Sequence, residues 1–196
     1  MHSYSDEEKN AFATLINHAL KDDKRVFELG LLPINPEDES CFDNVSDGII
    51  LCKLIDKCQP GLVEDRFINT KEKINIFQKK ENLNMAIQSA QTIGVKTIGM
   101  HPGVFLDKTK HMILGVLWQL LKIYLFSLIN IKNNPGLIRL VKEDETLEDL
   151  QALPVESILL RWVNYHLDNA GHDQRVKNFS DDVKDGVNYT VLLNQL

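Results

Sequence analysis

The side chains of this sequence that could do covalent or metal chemistry are few, and their spacing argues against it. His2, His18, His101, His111, His166 and His172 never fall in H-x-x-x-H or H-E-x-x-H spacing, which would set two imidazoles on one helical face. Cys41, Cys52 and Cys58 lack C-x-x-C spacing, and Cys52 and Cys58 lie on one predicted helix too far apart to bridge, so reduced thiols are expected. The stretch G-V-K-T-I-G-M-H from Gly94 superficially resembles a phosphate loop. Met100-His101 stand where Lys-Ser/Thr is required, however, and no strand precedes it. With no nucleophile elbow and no acid pair placed by pattern, we expect no catalytic residue, no metal and no cofactor.

What remains is binding chemistry, and it centres on residues 108–128. Read as a helix, this stretch is apolar on far more than one face, so other elements must cover most of it. A narrow polar stripe of His111, Gly115, Gln119 and Lys122 is left, with Lys108 and Lys110 at its mouth. Gln119 and Lys122 interrupt the run before it reaches the roughly 20 apolar residues a bilayer crossing needs, so no transmembrane segment is expected. Charge points the same way: residues 1–70 carry 7 Lys/Arg and 14 Asp/Glu, residues 71–142 carry 11 and 3, and residues 143–196 carry 4 and 11. A basic middle inside a chain of net charge -6 suits an acidic partner; no nucleic acid partner is expected.

The elements that position this stripe are helical. Ser5 with Asp6, Glu7 and Glu8 starts a helix over 6–20 with Phe12, Leu15, Ile16, Ala19 and Leu20 inward. Residues 21–46 read as a long surface loop. Asp47 caps a second helix that Pro60-Gly61 stops, and a third runs over 76–93 to Gly94. Residues 95–106 read as a loop before the apolar helix. Four helices without a strand make an all-α domain over 1–131. A structured connector follows over 132–153, with a short helix at 137–141 and a helical turn at Thr146, Leu147 and Leu150.

From 154 to 196 the sequence repeats itself. L-I-N-H-A-L at Leu15 is answered by W-V-N-Y-H-L at Trp162, and V-S-D-G-I-I-L-C-K-L-I at Val45 by V-K-D-G-V-N-Y-T-V-L-L at Val183. No counterpart of the third helix or of the apolar helix follows, so this is the first half of a second domain. Trp162, Val163, Tyr189, Leu192 and Leu193 are expected to lean on the first domain, to pair with another copy of the chain in self-association, or to form an exposed apolar patch.

The phrases S-Y-S-D-E-E-K, D-G-I-I-L-C-K-L-I, K-E-N-L-N-M-A-I, H-M-I-L-G-V-L-W-Q-L-L-K-I, E-T-L-E-D-L and L-L-R-W-V-N-Y-H-L together resemble the calponin-homology domains of the fimbrin (plastin) family. That resemblance implies a noncatalytic module that binds filamentous actin, in the cytoplasm on the actin cytoskeleton, as part of an actin-bundling protein. Its actin-facing surfaces would be residues 6–20, 108–126 and 156–167. The candidate actin contacts are then Lys108, Lys110, His111, Gln119, Lys122 and Arg161, although Arg161 could equally pair with Glu145 or Glu148. No D-x-[DN]-x-[DN]-G calcium loop is present, and one and a half domains are expected to bind without cross-linking. The polar N-terminus has no apolar run, so no signal peptide is expected. Calponin-homology domains also occur singly, so a microtubule, a signalling partner or an acidic phospholipid is the alternative target.

Overall fold

The structure, a computed structural model, describes residues 5–196; His2 and the Ser3-Tyr4 start of the S-Y-S-D-E-E-K phrase lie outside the described residues. All regular structure among the described residues is helical, in two compact units, 5–127 and 128–196.

In the first unit α1 (Asp6–Ala19) starts as its sequence requires: the Ser5 hydroxyl accepts from the Glu8 N–H at 3.1 Å, with three acids in the first turn. The 21–46 stretch is not simply a loop. It contains α2 (Lys24–Glu28), capped by the Asp23 carboxylate, and α3 (Ser40–Asp43), and it buries Val26, Leu32, Ile34, Cys41, Phe42 and Val45. Helices of four or five residues are too short to show a period, so apolar spacing could not announce them.

The most enclosed element is α4 (Ile49–Cys58), whose residues from Ile49 to Ile55 are all buried, Cys52 and Lys53 included. Lys53 is tolerated there because its Nζ sits 2.7 Å from Asp65 Oδ1 and 3.0 Å from Asp23 Oδ2. Burial alone would lower its pKa, but these two bonds outweigh that and leave it raised. Against α4 pack α5 (Ile76–Thr92) and α7 (Lys110–Ser127), and α6 (Pro102–Leu106) turns a second expected loop into a helix that buries Val104 and Phe105. No helix among the described residues is long and apolar enough to cross a membrane.

In the second unit the expected helix at 137–141 is a 3-10 turn, Pro135–Leu140. It is followed by α8 (Leu147–Ala152), which Thr146 and Asp149 cap reciprocally, then α9 (Val155–Asn169) and α10 (Val187–Gln195). Leu137, Leu140, Leu150 and Ile158 form one apolar cluster; Val163, Leu167, Val176, Val183 and Leu192 form another. Of the residues expected to need cover, Val163 and Leu192 are buried inside the unit, Trp162 is half-buried, and Tyr189 and Leu193 are exposed.

The repeated phrases repeat in space. Asn17 clamps the Ile34 backbone with two 2.8 Å bonds, Nδ2 donating to the carbonyl and Oδ1 accepting from the N–H. Asn164, its counterpart, clamps Val176 with the same two bonds at the same length. Asp47 and Asp185 each accept from the N–H two residues on, and Gly48 and Gly186 each take the left-handed conformation that starts the following helix. The two glycines differ in their surroundings. A Cβ on Gly48 would lie 2.8 Å from the Leu83 nitrogen and 2.9 Å from Asn82 atoms of α5, whereas one on Gly186 would meet open space.

This difference predicts unequal costs. Gly186→Ala should lose only the left-handed preference, about 1–2 kcal/mol. Gly48→Ala adds the overlap with the α5 backbone and should cost distinctly more, which urea denaturation of the two variants will read as the larger fall in midpoint.

Candidate functional site

The polar stripe read from the sequence keeps His111, Gly115 and Lys122 exposed in the structure, while Gln119 is half-buried. The exposed line on α7 is His111, Gly115, Trp118, Lys122 and Leu125, so Trp118 takes the place expected for Gln119. Trp118 is 55% exposed, and its inner face stacks on Phe12 of α1, with ring centroids 6.2 Å apart and planes 26° from parallel. The indole therefore bridges α1 and α7 while remaining more than half exposed to solvent. Below it, the Lys122 ammonium lies 5.3 Å from the Phe126 ring centroid.

Gln119 has another task. Its Oε1 accepts from the Lys96 N–H at 2.8 Å, and its Nε2 donates to the carbonyls of Gly115 at 3.0 Å and Lys96 at 3.4 Å. This fastens the 95–100 loop to α7. Within the loop Met100 N–H donates to the Thr97 carbonyl at 2.9 Å, Gly99 takes a positive φ of 76°, and Gln91 Nε2 donates to Thr97 Oγ1 at 2.5 Å. At the tip of this pinned turn stands Ile98, 92% exposed. Apolar spacing gave no sign of Ile98; the signal was an isoleucine directly before a glycine in a loop, the pattern of a tight turn that points a side chain outward.

The charges at the start of α7 are largely cancelled within the molecule. Lys108 precedes the helix, in a left-handed conformation with φ 53°, and its Nζ lies 2.6 Å from Asp43 Oδ1. Lys110 Nζ lies 2.6 Å from Glu39 Oε2 and 5.3 Å from the Phe42 ring centroid. Both pairs are about half exposed and so are worth at most about 1 kcal/mol each. Among the described residues no group of His, Cys, Asp and Glu is placed to hold a metal. Cys41, Cys52 and Cys58 are free thiols whose pKa burial pushes up to about 11, about 12 and about 12, which holds them protonated.

Arg161, in the second unit, is not on an open face. Its guanidinium grips Glu145 in a fork, Nη1 to Oε2 at 2.5 Å and Nη2 to Oε1 at 2.8 Å, and so fastens α9 to the segment before α8.

Comparison with known proteins gives this geometry a context. The calponin homology (CH) domain profile matches residues 6–126 and 153–196. The chain is 46% identical over 195 residues to fimbrin of Dictyostelium discoideum and to plastin-1 of Homo sapiens, covering all of this chain and 32% and 30% of those proteins. It thus spans about a third of the length of these curated relatives. Among solved structures, the actin-crosslinking core of Schizosaccharomyces pombe fimbrin matches at a TM-score of 0.77 and 38% identity, over 98% of this chain and 38% of that one.

The Arg161 fork makes a pH prediction. Hydrogen bonding to Arg161 holds the Glu145 carboxyl below the ordinary carboxylate range. The pair's contribution to stability is therefore complete above the unfolded carboxyl pKa of about 4.3 and disappears as pH falls through the depressed folded value. Unfolding of Arg161→Gln, followed across the acid range, should show a flatter dependence than the parent.

Proposed function

The chain belongs to the calponin homology domain family, and from that membership we propose that it is a noncatalytic module that binds filamentous actin, as part of a fimbrin-type cross-linking protein of the cytoplasmic actin cytoskeleton. The observation that carries this reading is the composite face of α1 and α7: Trp118 seated on Phe12 and flanked by His111, Lys122 and Leu125, with the pinned Ile98 turn beside α7. A half-exposed tryptophan held by stacking, and an ordered apolar tip, are the kinds of group that dominate protein interfaces. The relatives support the partner, since the solved fimbrin fragment that this chain matches is itself described as an actin-crosslinking core.

On this reading the stripe residues divide their work. His111 and Lys122 face the filament and Lys122 carries the steering charge. Lys108 and Lys110 reach the filament only by exchanging Asp43 and Glu39 for filament acids, so their net contribution is small. Gln119 acts indirectly, by holding the Ile98 turn, and Arg161 by holding the connector. The working division is a first domain over 1–131, a connector over 132–153 and half of a second domain over 154–196. Cross-linking requires two separate filament sites, which makes simple binding the expectation for this portion.

Co-sedimentation with filamentous actin tests the reading. The parent should pellet with filaments, and Trp118→Ala and Ile98→Ser should each weaken binding by roughly tenfold or more, the scale of an interface hot spot. Lys122→Glu should weaken it several-fold and remove most of its salt dependence, while Lys108→Gln should change little. A folded parent that stays in the supernatant at saturating actin would sink the proposal.

A further inference from the structure

A second surface of the first unit has a different chemistry and shares no residue with the α1 and α7 face. The ten residues from Lys71 to Lys80 hold four lysines and one acid, Glu72. Lys71, Lys73 and Lys79 line an open cleft of about 290 Å³ with Asp47, Glu72 and Ile74. Lys79 faces the Asp47 carboxylate; Lys71, Lys73 and Lys80 make no ion pair among the described residues. Amid these cations two large apolar side chains point outward, Phe77 at 72% exposure and Ile76 at 47%.

Their outward position is built in. Asn75 Oδ1 accepts from the N–H groups of Phe77 at 2.9 Å and Gln78 at 3.0 Å, and Gln78 Oε1 accepts from the Asn75 N–H at 3.0 Å. This reciprocal cap fixes the first turn of α5 and with it the direction in which the two Cα–Cβ bonds leave the helix.

We infer that the Lys71, Lys73, Ile76, Phe77 and Lys80 surface docks on an anionic lipid bilayer. Charge complementarity selects the occupant. Phosphate and carboxylate headgroups meet lysines whose long stems let the ammonium reach them at varied depth, while the phenyl ring and the isoleucine enter the headgroup boundary. A bilayer needs no pocket matched to a protruding ring, and it accepts a ring surrounded by cations. The acidic remainder of the chain is repelled, but at physiological ionic strength that repulsion is screened beyond about 8 Å, so the local basic surface decides the orientation.

Vesicle sedimentation tests this independently of the filament reading. The parent should sediment with vesicles of phosphatidylcholine and phosphatidylserine at 7:3 and stay in solution with phosphatidylcholine alone. The double variant Lys71→Glu, Lys73→Glu should lose binding. Phe77→Ser, at an exposed site where the fold has little to lose, should weaken it at least fivefold, and Lys122→Glu on the α7 face should leave it within twofold. Circular dichroism melts confirm that each variant is folded. The inference is overturned if the parent ignores anionic vesicles, or if Phe77→Ser binds them as the parent does. It is also overturned if Phe77→Ser abolishes actin co-sedimentation while vesicle binding persists, because the surface then belongs to a protein partner.

Discussion

The buried carboxamide of Asn82 holds the first unit together at the point where three segments meet. Its Nδ2 donates to the carbonyls of Asp47 at 3.2 Å and Asn69 at 3.0 Å, and its Oδ1 accepts from the Asn69 N–H at 2.8 Å. The Asn82 carbonyl in turn accepts from the Cys52 thiol at 3.4 Å. Every polar atom of a fully buried side chain is thereby satisfied, and it is the satisfaction that makes the site specific: a shifted α5 would strand a buried amide at a cost of about 1–3 kcal/mol per group. Gly48 permits the approach, since α5 lies where its side chain would be. α7 packs on α4 in turn, with α1 and α6 beside it.

The two units show how much of such a design is local. The starts of α4 and α10 at Asp47-Gly48 and Asp185-Gly186 are alike because each aspartate bond is made within two residues, and the Asn17 and Asn164 clamps recur although they reach 17 and 12 residues along the chain. The close packing at Gly48 needs a helix from further along the sequence, and around Gly186 that space is open. The second unit instead gains cohesion from its own connector, through Leu150 and the Glu145 fork on Arg161. Local motifs are thus duplicated more faithfully than the packing that surrounds them.

At the candidate binding face, apolar groups outweigh charge. Two of the three stripe lysines stand within 2.6 Å of acids of their own chain. Trp118 and Ile98 have no such internal claim on their outer surfaces, and both are held rigid, one by stacking on Phe12 and the other by a hydrogen-bonded turn. Little side-chain or loop entropy is left for a partner to remove, which favours tight association from a small area.

The sequence by itself determined the helices long enough to display a period, their caps at Ser5 and around Asp47, the all-α class, and the internal repeat. These are consequences of spacing and local hydrogen bonding, which lie within a few residues of one another. It placed His111, Gly115 and Lys122 on the solvent side of α7, but not Trp118, an apolar residue, on the same line. The rest of that helix is apolar, so hydropathy does not separate Trp118 from its buried neighbours, and its place is assigned by packing on α1, α4 and α6, whose positions depend on residues tens of positions away. Gln119 is therefore taken up by the Lys96 backbone at the surface, and Trp118 stands exposed. The cancellation of Lys108 by Asp43 and of Lys110 by Glu39, across more than sixty residues of sequence, was likewise decided only when the chain folded.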